Sequence, residues 1–176
     1  WIYGMADQSG LVADWYALPI GDKSYRLPDG RDVLIHTPDL RFPQGADIAE
    51  QRANPGYAVR LSTEGEAGGT WKRPDRGVWR WGWYKAGPAF ANYWTEAQFL
   101  QPEITIAEMR LLKAEGLYRQ GGNSGAVADI INETRVAAGL NPTDANGTNT
   151  SCVPKLPNGS CGDLLEMLKW EKRMET

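Results

Sequence analysis

A break in character near Pro102 constrains this chain more than any other feature. Before it, Gly and Pro recur too densely for long elements: between Thr37 and Gly69 stand Pro38, Pro43, Pro55, Gly45, Gly56, Gly65, Gly68 and Gly69. Each Pro removes a backbone donor and each Gly weakens a helix or strand interior. After Pro102, apolar residues return at helical spacing. The sequence therefore predicts a mainly α fold with long irregular loops, divided into an aromatic-rich, irregular region over 1–101 and a helical region over 102–176. An irregular stretch this long within a compact domain is either functional or part of a larger body.

Three helices can be placed in the second region. The first is expected from Thr105 to Gln120, with Thr105 as N-cap, Glu108 as its capping-box partner and Gly121-Gly122 as the stop. A second runs from Ser124 to Ala138, where Ala126, Ile130, Ile131, Thr134 and Ala137 make an apolar stripe before Gly139. The short connection makes these two an antiparallel pair. The third starts after Gly162 with Asp163 as N-cap and Glu166 as box partner, and carries Leu164, Leu165, Met167, Leu168, Trp170 and Met174. Its register continues through Glu171 to Glu175, so the natural protein is expected to extend beyond Thr176. The helix pair fits one tetratricopeptide-like unit, since Ala114, Leu117, Gly121, Ala126 and Ile130 are spaced 3, 4, 5 and 4. Arg110 and Glu133 depart from that pattern, standing where the repeat has an aromatic and a small residue.

The first region holds most of the aromatic residues. Lys23 to Leu27 and Arg31 to Thr37 flank Pro28-Asp29-Gly30, which suggests a short β-hairpin. Between Trp71 and Trp94 lie Trp71, Trp79, Trp81, Trp83, Tyr84 and Trp94. In Val78-Trp79-Arg80-Trp81-Gly82-Trp83-Tyr84 the three Trp alternate, which in an extended chain puts all three indoles on one face. Two readings of that face stand. It is core, because Trp is highly buried on average, or it is a platform for sugar rings, whose C–H faces stack on indole while neighbouring polar groups bind the hydroxyls.

Composition narrows the chemistry. The 19 basic and 22 acidic residues form no cationic cluster of the kind a phosphate backbone requires, which argues against nucleic acid. No apolar run reaches the length of a membrane span, and the chain opens at Trp1 without a Met or a signal-like segment, as expected of a processed chain or a fragment. His36 is the single histidine, and no Ser or Cys with an orienting carboxylate is marked as its partner. Cys152 and Cys161 lie nine positions apart in a loop-like stretch, Asn141 to Gly162. They read either as a disulfide, worth about 2.5 to 3 kcal/mol on the chain-entropy account and fitting an oxidising compartment, or as two free thiols. Two Cys with no nearby His cannot complete a zinc site, and no catalytic residue, metal or cofactor is assigned. Asn132, Asn146, Asn149 and Asn158 open glycosylation-type sequons, read here as loop composition.

One ordered set of motifs is more specific. It comprises Ala107-Glu108 and Ala114-Glu115 seven apart, Arg119-Gln120-Gly121, Ile131-Asn132, Thr134-Arg135, Ala138-Gly139-Leu140, a variable loop, and Glu171-Lys172-Arg173-Met174-Glu175. In that order these residues resemble the C-terminal helical part of the SusD/RagB family of outer-membrane nutrient-binding lipoproteins. The resemblance spans Glu103 to Glu175, under half of the chain. Thr105 stands where members often have Arg, and the family's Gly-x-Arg-Trp-x-Asp-Leu continuation would lie beyond Thr176. The resemblance implies an internal portion of a larger surface-exposed protein, joined to the outer membrane only through a lipid anchor outside this segment. Its helices would rest against a SusC-like TonB-dependent transporter. By elimination, Trp71, Trp79, Trp81, Trp83, Tyr84 and Trp94 then fall in the ligand-facing insertion.

The expected function is accordingly non-catalytic capture of a glycan or other oligomeric nutrient. A glycoside hydrolase is the rival, because it needs only two carboxylates about 5 to 9.5 Å apart. Glu108 and Glu115 lie roughly 10 Å apart along one helix, and they, Glu171 and Glu175 read as solvated or ion-paired helix residues. A tetratricopeptide-type interaction adaptor is the third reading, weakened by the single repeat.

Overall fold

The computed structural model describes residues 3–23, 26–61, 84–86 and 104–175. They form two compact units, one within 3–99 and the other within 100–176. The described elements are mainly helical: α1 (Leu11–Ala17), α2 (Ile48–Ala53), β1 (Val59–Leu61), β2 (Tyr84–Ala86), α3 (Ile106–Gln120), α4 (Ser124–Ala137) and α5 (Leu164–Glu175), with 3-10 turns at Tyr3–Ala6 and Ile20–Asp22.

In the first unit, α1 and α2 are two helices that the Gly/Pro pattern concealed. Gly10 at the start of α1 has no side chain to cap with, so Asp7 does that work: its carboxylate accepts from the backbone N–H of Ser9, Gly10 and Val12 at 3.0 to 3.1 Å. At the other end Lys23 donates to the carbonyls of Trp15 and Tyr16, both at 2.7 Å, with its ammonium 4.7 Å from the Trp15 ring centre. Helix α2 begins at Asp47, whose side chain accepts from Glu50 N–H.

Of the expected hairpin, Ser24 and Tyr25 lie outside the described residues. Among the described ones a single antiparallel bridge, Arg26 to Asp32, stands where two paired strands were predicted. The reason lies in the donors that follow: Ile35 N–H goes to the Tyr84 hydroxyl at 2.7 Å and His36 N–H to Asp7 at 3.0 Å. Leu34 and Ile35 are both buried, which breaks the alternation a two-faced strand requires. The strand pairing that does form is non-local, β1 against β2 antiparallel, with Leu61 opposite Tyr84. Beneath it Leu34 and Leu61 pack with Ile48 and Tyr84. Beside them Arg41 and Asp39 form a buried ion pair, with Arg41 Nη2 donating to Asp39 Oδ2 at 2.7 Å and Nε reaching both carboxylate oxygens.

The second unit follows its caps. Thr105 accepts from Glu108 N–H at 3.0 Å to start α3, and Asp163 accepts from Glu166 N–H at 3.0 Å to start α5. Helix α4 ends in a Schellman motif: Leu140 N–H bonds Arg135 carbonyl, Gly139 N–H bonds Val136 carbonyl, and Gly139 sits at φ 75°. The three helices pack on one another around Leu111, Ala114, Val127, Ala128, Ile131, Leu164, Met167 and Leu168. On α4 the buried stripe is turned from its predicted position. Val127, Ile131, Arg135 and Ala138 face inward, while Ala126 and Ala137 are exposed. A search for apolar residues passes over Arg135, and that shifts the stripe.

Candidate functional site

Of the aromatic candidates, Trp71, Trp79, Trp81, Trp83 and Trp94 lie outside the described residues. Tyr84 is described, and its hydroxyl is engaged within the protein. It accepts from Ile35 N–H and donates to Gln51 Oε1 at 2.6 Å, while the fully buried Gln51 donates in turn to the Ile35 and Gly45 carbonyls. Burial raises the phenol's pKa above its ordinary value. The Asp7 charge adds to the rise, against hydrogen bonds from Ile35 and to Gln51 that lower it. Tyr84 therefore ties β2 to α2 and to the 34–37 segment.

In the second unit four members of the ordered motif set, Asn132, Arg135, Gly139-Leu140 and Glu171, meet at the end of α4 and the loop between α4 and α5. Arg135 is fully buried, and its guanidinium donates to Asn141 carbonyl at 2.9 Å, Val153 carbonyl at 2.8 Å and Asn149 Oδ1 at 2.7 Å, with Glu171 Oε1 3.9 Å away on α5. Asn132 holds Thr143 from both sides, donating to its carbonyl at 2.9 Å and accepting from its N–H at 2.8 Å. Asn149 donates to Gly162 carbonyl and accepts from Val153 N–H. Cys152 and Cys161 are joined by a disulfide, closing the end of the loop with their Cα atoms 4.6 Å apart. Gly147 completes the fit, since a Cβ there would sit 2.9 Å from Leu164 N. Asn132 and Asn149, two of the sequon asparagines, thus have their amides built into the fold.

The positions where the helix pair departs from the tetratricopeptide pattern also meet. Arg110 on α3 and Glu133 on α4 form an exposed ion pair.

A concavity runs between α3 and α5, a groove of about 790 Å³. Its walls are one face of each helix, Glu115, Tyr118 and Arg119 against Leu165, Leu168, Lys169, Lys172 and Arg173. Glu115 joins the two sides, accepting from Arg119 Nη2 and from Lys172 Nζ, both at 2.5 Å. The hydrogen bond from Lys172, and after it that from Arg119, lowers the Glu115 pKa to about 2. That is opposite to the raised value a general acid needs. In the sequence Glu115 reads only as a solvated or ion-paired helix residue, and nothing marks Lys169, Lys172 and Arg173 as facing it. Their spacing on α5 was the available signal, but only the α3 partner turns it into a groove.

Among the described residues no group of His, Cys, Asp and Glu is placed to hold a metal ion, and no helix is long and apolar enough to cross a membrane. Comparison of the chain with protein-family models, with curated proteins and with solved structures finds no match.

Proposed function

We propose that this chain is part of a cell-surface binding protein of the SusD/RagB type. It captures an oligosaccharide or other oligomeric nutrient and passes it to a SusC-like TonB-dependent transporter without breaking bonds. One observation carries the reading: Asn132, Arg135, Gly139-Leu140 and Glu171 belong to the ordered motif set, and they build a single arrangement that closes α4 and clamps the following loop. That part of the motif set whose members share one structural task supports the resemblance more than any of its residues does singly. The disulfide adds support for a location outside a reducing cytosol. The tetratricopeptide-like reading of α3 and α4 draws support from Ala114, Leu117 and Ile130 on the packed side, while the exposed Ala126 departs from it.

Calorimetric titration with a panel of oligosaccharides, followed by chromatography of the ligand, tests the proposal. Binding with the sugar recovered intact is expected; release of reducing ends would instead support a hydrolase. Replacing Trp79, Trp81 or Trp83 by Ala is expected to weaken binding about tenfold or more with little change in melting temperature. A loss of about 3 to 5 kcal/mol of stability in every variant would assign the stripe to core instead.

A further inference from the structure

The groove between α3 and α5 has a chemistry that sugar capture does not use. Its floor is apolar, made by the buried Leu168 with Leu165 and Tyr118, and its rim carries Arg119, Lys169, Lys172 and Arg173 against the carboxylates of Glu115 and of Glu166, which accepts from Lys169 at 2.6 Å. Glu115 is shared between Arg119 and Lys172 and Glu166 takes Lys169, so four cations meet two carboxylates and the rim keeps a surplus of positive charge. This local excess stands out in a chain whose formal net charge is −3. Two adjacent helices with an apolar floor between them offer the seat that a third helix fills by packing ridges into grooves. Leu165 and Leu168, two of the three floor residues, suit Leu or Met side chains of a partner. We propose that this groove binds an acidic amphipathic helix of a protein partner, its apolar stripe on Leu165, Leu168 and Tyr118 and its carboxylates on Arg119 and Arg173.

The probe is a fluorescein-labelled peptide of about 14 residues with Leu at helical i, i+3, i+4 and i+7 positions and Glu elsewhere, titrated with the full chain by anisotropy. Saturable binding is expected, weakening as salt rises because the rim charges are exposed. The double variant Arg119→Glu, Arg173→Glu should weaken binding at least tenfold, through a slower on-rate and lost pairs. Lys113→Glu, exposed on α3 and outside the groove, should change it less than twofold. Melting curves of the variants confirm that each is folded, as expected for exposed side chains. No binding up to about 1 mM peptide, the weak end of specific recognition, would overturn the proposal. So would equal affinity for the double variant. A peptide with Ser in place of Leu, or a polygalacturonate fragment, binding as well as the probe would also overturn it by showing a general anion groove.

Discussion

Replacing Arg135 by Ala removes three donors from a site whose acceptors are turned inward. The carbonyls of Asn141 and Val153 lose the guanidinium as donor, the Asn149 side chain loses one of its bonds, and Glu171 keeps a buried charge without the neighbouring guanidinium. Breaking a buried pair in this way costs about 3 to 5 kcal/mol, read as a lower urea midpoint with little change in slope. Glu171→Gln should cost less, because Arg135 keeps its three oxygen acceptors; an equal loss would mean that the charge pair, and not the loop clamp, dominates. Glu115 makes a prediction of a different kind. Its carboxyl is held at about 2 in the folded chain against an ordinary 4.5, so the folded state favours the ionised form. The resulting stability is present above pH 4.5 and is lost as the pH falls from about 4.5 toward 2. In Glu115→Gln the melting temperature should therefore fall less over that window than in the parent chain, and added salt should narrow the difference, since the pairs that Glu115 makes are partly open to solvent.

Tyr84 sits at the junction of elements that lie far apart in sequence. Tyr84→Phe keeps the ring against Leu34 and Leu61 but leaves Ile35 N–H and Gln51 Oε1 without their hydroxyl partner. The expected cost is about 1 to 3 kcal/mol, measured by denaturation, with faster amide exchange at Ile35 as the local sign. No sequence pattern announces this contact, because it joins positions 49 residues apart and depends on the pairing of β1 with β2. The caps at Thr105 and Asp163 and the stop at Gly139 were legible because each acts within four residues of its own helix end. Asp7 was not, since it caps α1 from outside the helix and also binds His36, 29 positions away. The inward stripe of α4 was misplaced for a related reason. A buried Arg is tolerable only when distant carbonyls satisfy it, and those carbonyls belong to a loop that sequence shows only as polar. Of the candidate site, the cations of the α3–α5 groove could be seen singly, but not the geometry that assembles them.

The unit formed by residues 104–175 bears most directly on where such a chain can live. A body of this size has a core of three short helices, and cores of this scale rarely supply more than about 3 to 5 kcal/mol. Closing the loop between Cys152 and Cys161 contributes about 2.5 to 3 kcal/mol on the chain-entropy account, a large share of that total. Expressed alone and oxidised, this unit is expected to be helical by circular dichroism and to melt cooperatively. Adding reductant, or replacing Cys152 and Cys161 by Ser, should lower the melting temperature by well over ten degrees and leave part of the helix signal missing at about 37 °C. The Arg135 clamp and the Asn132–Thr143 pair act on the same loop, so they and the disulfide should couple. Loss of the clamp should cost more in the reduced unit than in the oxidised one, a difference that a double-mutant cycle reads directly. Should reduction leave the melting curve where it was, the clamp alone holds the loop, and the disulfide no longer argues for an oxidising compartment.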